Sequence, residues 1–204
     1  PQSELTEFYR RLILATNIER QNKIAIMLIM LVFVRNNELR GGQWQEVDFK
    51  NKRWIIPAER MKHEKMKPKP ALCVPLSDWA IELLQELHTL TGHSRFMFPS
   101  RTSVNRHISE NTLGKIINEK LGYKGKATPH GFRAVASSLL YENNFNGGAI
   151  EIQLAHVEED KTKDSYAYMA EYMPQRIEFM QWYSDYLREQ YNQALQMIQE
   201  SRTV

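Results

Sequence analysis

The chain has 204 residues, 42% of them hydrophobic and 25% charged, a balance that suits an ordinary globular protein with a sizeable core. Its single cysteine excludes a disulfide framework, and Cys73, set in an apolar run, reads as an inert core thiol of a reducing compartment. A formal net charge of +3 permits a nucleic-acid partner without implying one, so the placement of the basic residues matters more than their sum.

In chain order, "PQSELTEFYRR" lacks the basic and apolar regions of an export signal and starts abruptly at a helix, which suggests a fragment of something longer. Apolar spacing predicts helices over 3–16 and 20–35. The second contains "IAIMLIMLVFV", too short to cross a bilayer and apolar almost all round, hence a central buried helix. "RGGQW" breaks it. The β-branched and aromatic pieces "EVDF", "RWIIPA" and "LCVPLS" predict one small antiparallel sheet whose second turn, 60–70, is long and exposed.

Ser77 suits the N-cap of a helix ending near Gly92, and another helix is expected over 109–121. In "YKGKATPHGFR", Thr128 suits an N-cap and Pro129 the first helical position, with "NNFNGG" ending that helix after Tyr141. Shorter helices fit 148–156 and roughly 160–171, and Pro174 opens a long last helix with apolar residues at Ile177, Met180, Leu187, Tyr191, Leu195 and Ile198. The fold class is therefore mainly helical with a small antiparallel sheet (α+β).

Several constellations could carry chemistry. Arg35 and Glu38 are spaced i, i+3, so on a helix they share a face; a guanidinium after eleven apolar residues needs an acid or an anion, and a structural ion pair satisfies it as well. His130 and Arg133 share that spacing at a helix start, where free N–H groups and the positive dipole end favour an anion; a capping histidine beside a surface arginine is the plainer alternative. His156 ends an apolar stretch and is by itself weak. The run "ERMKHEKMKPKP" gathers Arg60, Lys62, Lys65, Lys67 and Lys69, either as a solvated turn or as phosphate contacts.

"DSYAYMAEYM" holds Tyr166, Tyr168 and Tyr172, any of which could be packing or a nucleophile. On one continuous helix Tyr168 and Tyr172 would lie roughly 200° and 240° around from Tyr166, so the three could not share a target. No HExxH or paired cysteine suggests a metal, and no G-x-S-x-G suggests a serine hydrolase. Arginines, lysines, histidines and a tyrosine together suit a phosphoryl transition state stabilised by side-chain cations, with no metal or cofactor required.

The ordered set Arg35, Lys62, His130-x-x-Arg133, His156 and Tyr166 resembles the catalytic signature of the tyrosine recombinases, also called phage integrases. "FVRNNELRGGQWQEVDF", "TPHGFRAVASSLLYE", "QLAHVEEDKTKDSY" and "EYMPQRIEFMQWYSDYL" look most like those of enterobacterial prophages and genomic islands. The resemblance implies a catalytic domain over 1–187, followed by a C-terminal helix extension over 188–204, without the N-terminal core-binding and arm-binding domains such enzymes carry. Asn36 and Asn37 stand where relatives often have Pro-Gly, and the hairpin leaves Lys62 less sharply singled out from Lys65 and Lys67.

What the resemblance implies for roles is as follows. Arg35 and Arg133 would clamp the scissile phosphate, with Glu38 supporting Arg35. Lys62 would protonate the departing 5′-hydroxyl, His130 would accept the tyrosine proton, His156 would hydrogen-bond the phosphate, and Tyr166 would form a 3′-phosphotyrosyl link. Arg60, Lys65, Lys67 and Lys69 would contact DNA. The partners implied are double-stranded attachment-site DNA, a homotetramer on that DNA from a monomer without it, an excisionase and a host DNA-bending protein, in the bacterial cytoplasm at the nucleoid and with no membrane. The alternatives are a type IB topoisomerase using nearly the same residues, a non-catalytic DNA-binding relative, and a phosphatase or nuclease acting on other phosphate esters.

Overall fold

A computed structural model describes residues 2–61, 70–156 and 170–202. Helix α1 (Leu5–Leu14) buries Leu5, Phe8, Tyr9 and Leu12, the i, i+3, i+4, i+7 stripe of an amphipathic helix. Helix α2 (Arg20–Val32) buries every residue from Ile24 to Val32 and forms the centre of the core. It stops at Val32, three residues before the expected end. Phe33 takes the left-handed conformation (φ 59°), held between the rings of Phe179 and Tyr183 at 6.3 and 5.0 Å.

The short helix α3 (Asn36–Arg40) follows, with Arg35 as its N-cap in extended backbone. Arg35 and Glu38 thus do not continue the buried helix as expected; they are cap and third residue of a new one, a spacing that still lets their side chains meet. Strands β1 (Val47–Asp48), β2 (Arg53–Ile56) and β3 (Leu72–Pro75) form an antiparallel sheet in that order, with Val47 opposite Trp54 and Trp54 opposite Val74. The connection from Pro57 to Ala71 leaves the Ile56–Leu72 end of this sheet; it begins with a 3-10 turn (Ala58–Arg60) and a buried Met61.

Helix α4 (Asp78–Thr91) starts at the expected cap, where Ser77 Oγ accepts from the Ala80 N–H at 3.2 Å. A second sheet, not anticipated, pairs β4 (Pro99–Ser100) with β5 (Ser103–His107). Its polar residues give little strand signal, and it is secured by tertiary contacts: Phe96 packs edge-on against His107 at 5.2 Å, and Ser94 Oγ donates to the Val104 carbonyl at 3.0 Å. The helix expected over 109–121 is a single turn, α5 (Thr112–Lys115), that widens into a π-turn over Ile116–Lys120.

Helices α6 (Pro129–Glu142) and α7 (Gly147–Gln153) precede the long α8 (Met173–Glu200). Tyr172 caps α8 in the left-handed conformation (φ 55°), and its ring lies against Gly148, where a Cβ would come within 3.2 Å of it. The helix expected over 160–171 lies, but for its last two residues, outside the described residues. Helix α8 runs unbroken through the division expected after residue 187. Ala194 and Ile198 are buried beyond it, and the Tyr191 ring meets Tyr9 at 5.5 Å and Trp79 at 5.4 Å. Residues 188–200 are therefore part of the same packed body, docked on α1 and α4. Among the expected stripe residues Ile177 is instead exposed, and Phe179 and Tyr183 fill the core. Among the described residues no helix is long and apolar enough to cross a membrane.

Candidate active site

Arg133 lies in the second turn of α6, whose start is set by Thr128 Oγ1 accepting from the Gly131 N–H at 2.9 Å and by Pro129 at the first helical position. Its guanidinium, 5% exposed, donates from Nη2 to the Leu154 carbonyl at 2.7 Å and from Nη1 to the Phe33 carbonyl. Those carbonyls close α2 and α7, the ends that carry the negative pole of a helix dipole and suit a cation. Phe33 stands two residues before Arg35, and Leu154 two before His156. One buried guanidinium therefore gathers three chain segments that carry Arg35, His130, Arg133 and His156.

A guanidinium has five N–H donors, and two of Arg133's are used by these carbonyls. Burial first, and the neighbouring positive charge of Arg35 second, push its pKa down to about 10, with Glu38 opposing that shift. The group is still cationic at neutral pH.

Arg35 is held by Glu38 twice over. One carboxylate oxygen accepts from the Arg35 backbone N–H at 2.7 Å, and the other accepts from Nη1 at 3.0 Å. Glu38 is fully buried and the Arg35 side chain is 19% exposed, so the acid lies beneath and the guanidinium faces outward. Arg35 and Arg133 lie within electrostatic reach of each other, and the one nearby carboxylate is bonded to Arg35, which leaves a local excess of positive charge in a partly desolvated setting.

His130 is exposed one turn before Arg133, and its ring makes no hydrogen bond among the described residues. His156 follows a Schellman ending of α7: Ala155 is left-handed (φ 51°), its N–H bonds the Ile152 carbonyl at 2.9 Å, and the His156 N–H bonds the Glu151 carbonyl at 3.0 Å. The imidazole Nδ1 lies 2.8 Å from Glu151 Oε2, with the ring about half exposed.

Arg60, expected on DNA, has another occupation. It forms a two-pronged ion pair with Glu46, Nε to Oε1 at 2.7 Å and Nη2 to Oε2 at 2.8 Å, and Nη2 also donates to the Glu38 carbonyl at 3.2 Å. The Trp54 indole N–H donates to the same Glu46 carboxylate at 2.9 Å. Bidentate geometry at 17% side-chain exposure makes Arg60 a brace between the sheet and α3. Lys62, Lys65, Lys67, Lys69 and Tyr166 lie outside the described residues.

Sequence reasoning missed the layer beneath. Gln153, fully buried, donates from Nε2 to the Val32 carbonyl at 3.3 Å and accepts at Oε1 from Arg176 Nε and Nη2 at 3.1 and 2.9 Å. Arg176, also fully buried, donates to the Cys73 carbonyl as well. This network ties α8 and β3 to the α2 and α7 ends that seat Arg133. The signal in the sequence was a glutamine within "AIEIQLAH", a polar residue among core positions. No group of three or more His, Cys, Asp and Glu suited to a metal ion occurs among the described residues.

The chain matches the phage integrase family model over residues 4–172. It is 35% identical to the integrase of Enterobacteria phage P4 over 214 residues, spanning 99% of this chain and 48% of that protein. It is 36% identical to the prophage integrase IntS of Escherichia coli K12 over 167 residues, 81% of this chain and 42% of that one. The chain thus spans about half the length of such relatives.

Among solved structures, the integrase of mycobacterium phage Brujita superposes with a TM-score of 0.61 at 16% identity, over 86% of this chain and 55% of that one. The Tn1549 transposon integrase bound to circular intermediate DNA matches at 0.61 and 16%, over 74% and 57%. XerA recombinase matches at 0.59 and 18%, over 92% and 62%. At such identities these likenesses speak for the fold alone, mainly helical with small antiparallel sheets. The sequence match carries the kinship, and by it the chain belongs to the phage integrase family.

Proposed function

We propose that this chain is the strand-cleaving and strand-joining part of a site-specific DNA recombinase that integrates and excises a prophage or genomic island. The observation that carries the reading is the buried Arg133 guanidinium, which ties together the chain ends leading to Arg35 and His156 while Glu38 holds Arg35 beside them. Such a site favours an anion, and planar arginine forks match the non-bridging oxygens of a phosphodiester.

In this mechanism Tyr166 Oη attacks the scissile phosphorus, its proton passes to His130, and the bond to the 5′-oxygen breaks as Lys62 supplies that oxygen with a proton. The product is a 3′-phosphotyrosyl link and a free 5′-hydroxyl. Attack by a 5′-hydroxyl of the partner strand reverses these steps and reseals DNA without an external energy source, because the phosphodiester energy is kept in the covalent link. The transition-state charge falls to Arg35, Arg133 and His156, which do the work that divalent metals do in other phosphoryl transfers. Lys65, Lys67 and Lys69 would hold the DNA backbone beside the site. The working assembly is a homotetramer on paired attachment sites, formed from monomers, with an excisionase and a host DNA-bending protein setting direction, in the bacterial cytoplasm at the nucleoid.

The test is covalent trapping. Nicked duplex carrying the element's own attachment core, incubated with the chain in chelator, should yield a protein–DNA adduct. Tyr166→Phe should abolish the adduct and leave DNA binding intact. DNA bound by the wild type with no adduct formed, or an adduct lost in Tyr168→Phe but kept in Tyr166→Phe, would overturn the reading.

A further inference from the structure

We infer that Glu151 is a positioning residue that fixes the tautomer and orientation of His156, and that Tyr141 holds Glu151 in turn. The Glu151 carboxylate is bonded on both oxygens: Oε1 accepts from the Tyr141 hydroxyl at 2.8 Å, and Oε2 lies 2.8 Å from His156 Nδ1. An ionised carboxylate can only accept, so the proton of that contact belongs to Nδ1, and Nε2 is the nitrogen left to face a substrate. The backbone reinforces the pairing, because the left-handed Ala155 folds the chain until the His156 N–H meets the Glu151 carbonyl at 3.0 Å. Main chain and side chain of one residue thus hold the main chain and side chain of the other.

Two further features are built around the contact. Gly147 lies under the Tyr141 ring, where a Cβ would sit 3.1 Å from Cε1; a larger residue would push the ring away from Glu151. The hydrogen bond to Glu151, ahead of burial, holds the Tyr141 phenol above its ordinary pKa and keeps it a donor. The His156–Glu151 pair is too exposed to be explained by stability, since exposed ion pairs add little to a fold. What it can do is orient. A carboxylate behind Nδ1–H fixes the ring and aims Nε2 at the developing phosphoryl charge, as outer carboxylates do for histidines at many sites.

The kinetic consequence rests on the recombinase reading; the tautomer does not. The chain, labelled with nitrogen-15, is observed by NMR above the titration of its imidazoles, in wild type and in Glu151→Gln. His156 should carry its proton on Nδ1 in the wild type and shift toward Nε2 in the variant, with the fold unchanged. A wild-type His156 protonated on Nε2, or a variant identical to the wild type, overturns the inference. In adduct formation on the nicked attachment core, Glu151→Gln should be slower by tenfold or more with DNA affinity kept. In a His156→Ala background the same change should have no further effect. An equal slowing in that background would show that Glu151 acts on the fold and not through His156. If bound DNA gives no adduct with the wild type, the recombinase reading fails while the spectra still decide the role of Glu151.

Discussion

At Arg133 one side chain serves the fold and the site together. Two of its donors stitch the ends of α2 and α7, and the remaining three make no hydrogen bond among the described residues. Lysine has the charge but neither the planar fork nor the reach to replace both sets of bonds. Arg133→Lys is expected to slow adduct formation more than a hundredfold, on the scale of about 3–4 kcal/mol for one lost oxyanion donor. Single-turnover trapping measures it, and a loss below tenfold would contradict the clamp. Glu38 works differently. It is acceptor only, fully buried, and spends both oxygens on Arg35, so the i, i+3 ion pair considered from the sequence is real and at the same time serves to present the guanidinium.

At the scale of elements, caps were legible and turns in unusual backbone were not. Ser77 and Thr128 cap α4 and α6 where the sequence places them, because a hydroxyl one residue before an apolar-periodic run is a local signal. The end of α2 is not local. "LVFVRNNEL" continues the apolar run, and Phe33 turns left-handed only because Phe179 and Tyr183 from α8 clasp its ring. The β4–β5 hairpin likewise depends on Phe96 and Ser94, outside its own strands. The last helix shows the same dependence in reverse. Its apolar stripe suits either a cap on this domain or packing on a neighbouring protomer, and its distal half closes the core over Tyr9 and Trp79. Removing residues 188–204 should therefore cost about 3–5 kcal/mol, taking large-to-small losses in a core as the guide. Thermal unfolding should fall by at least about 6 °C, at roughly 2–4 °C per kcal/mol for a chain of this size. An unchanged midpoint would make the distal half a true appendage.

Across the whole molecule, the net charge of +3 understates the electrostatics of the site. The charge that matters is the local surplus at Arg35 and Arg133, where burial and the nearby positive charge of Arg35 push the Arg133 pKa down to about 10. An anion that binds there offsets that surplus. Inorganic phosphate at ten times its dissociation constant should raise the unfolding temperature by about 3–5 °C, from RT ln(1 + [L]/Kd). The gain should disappear in Arg133→Lys. As to sign, an arginine held below its ordinary value is charged under its folded pKa and neutral above it. The phosphate effect should therefore persist from pH 7 to 9 and fade as pH rises through about 10. Scanning calorimetry across that range is the measurement.

The sequence by itself determined the fold class, the order of the polar residues that the resemblance picked out, and the cap positions. Each of these is written in residue type and short-range spacing. Tertiary structure alone decided that Arg60 braces Glu46, since which acid a flexible arginine meets depends on a sheet and a helix far apart in sequence. It also decided that Gln153 and Arg176 form the floor of the site and that Glu151 stands behind His156. Buried polar groups must find partners wherever the fold places them, and those partners are set by packing across the molecule and not by neighbours in the chain.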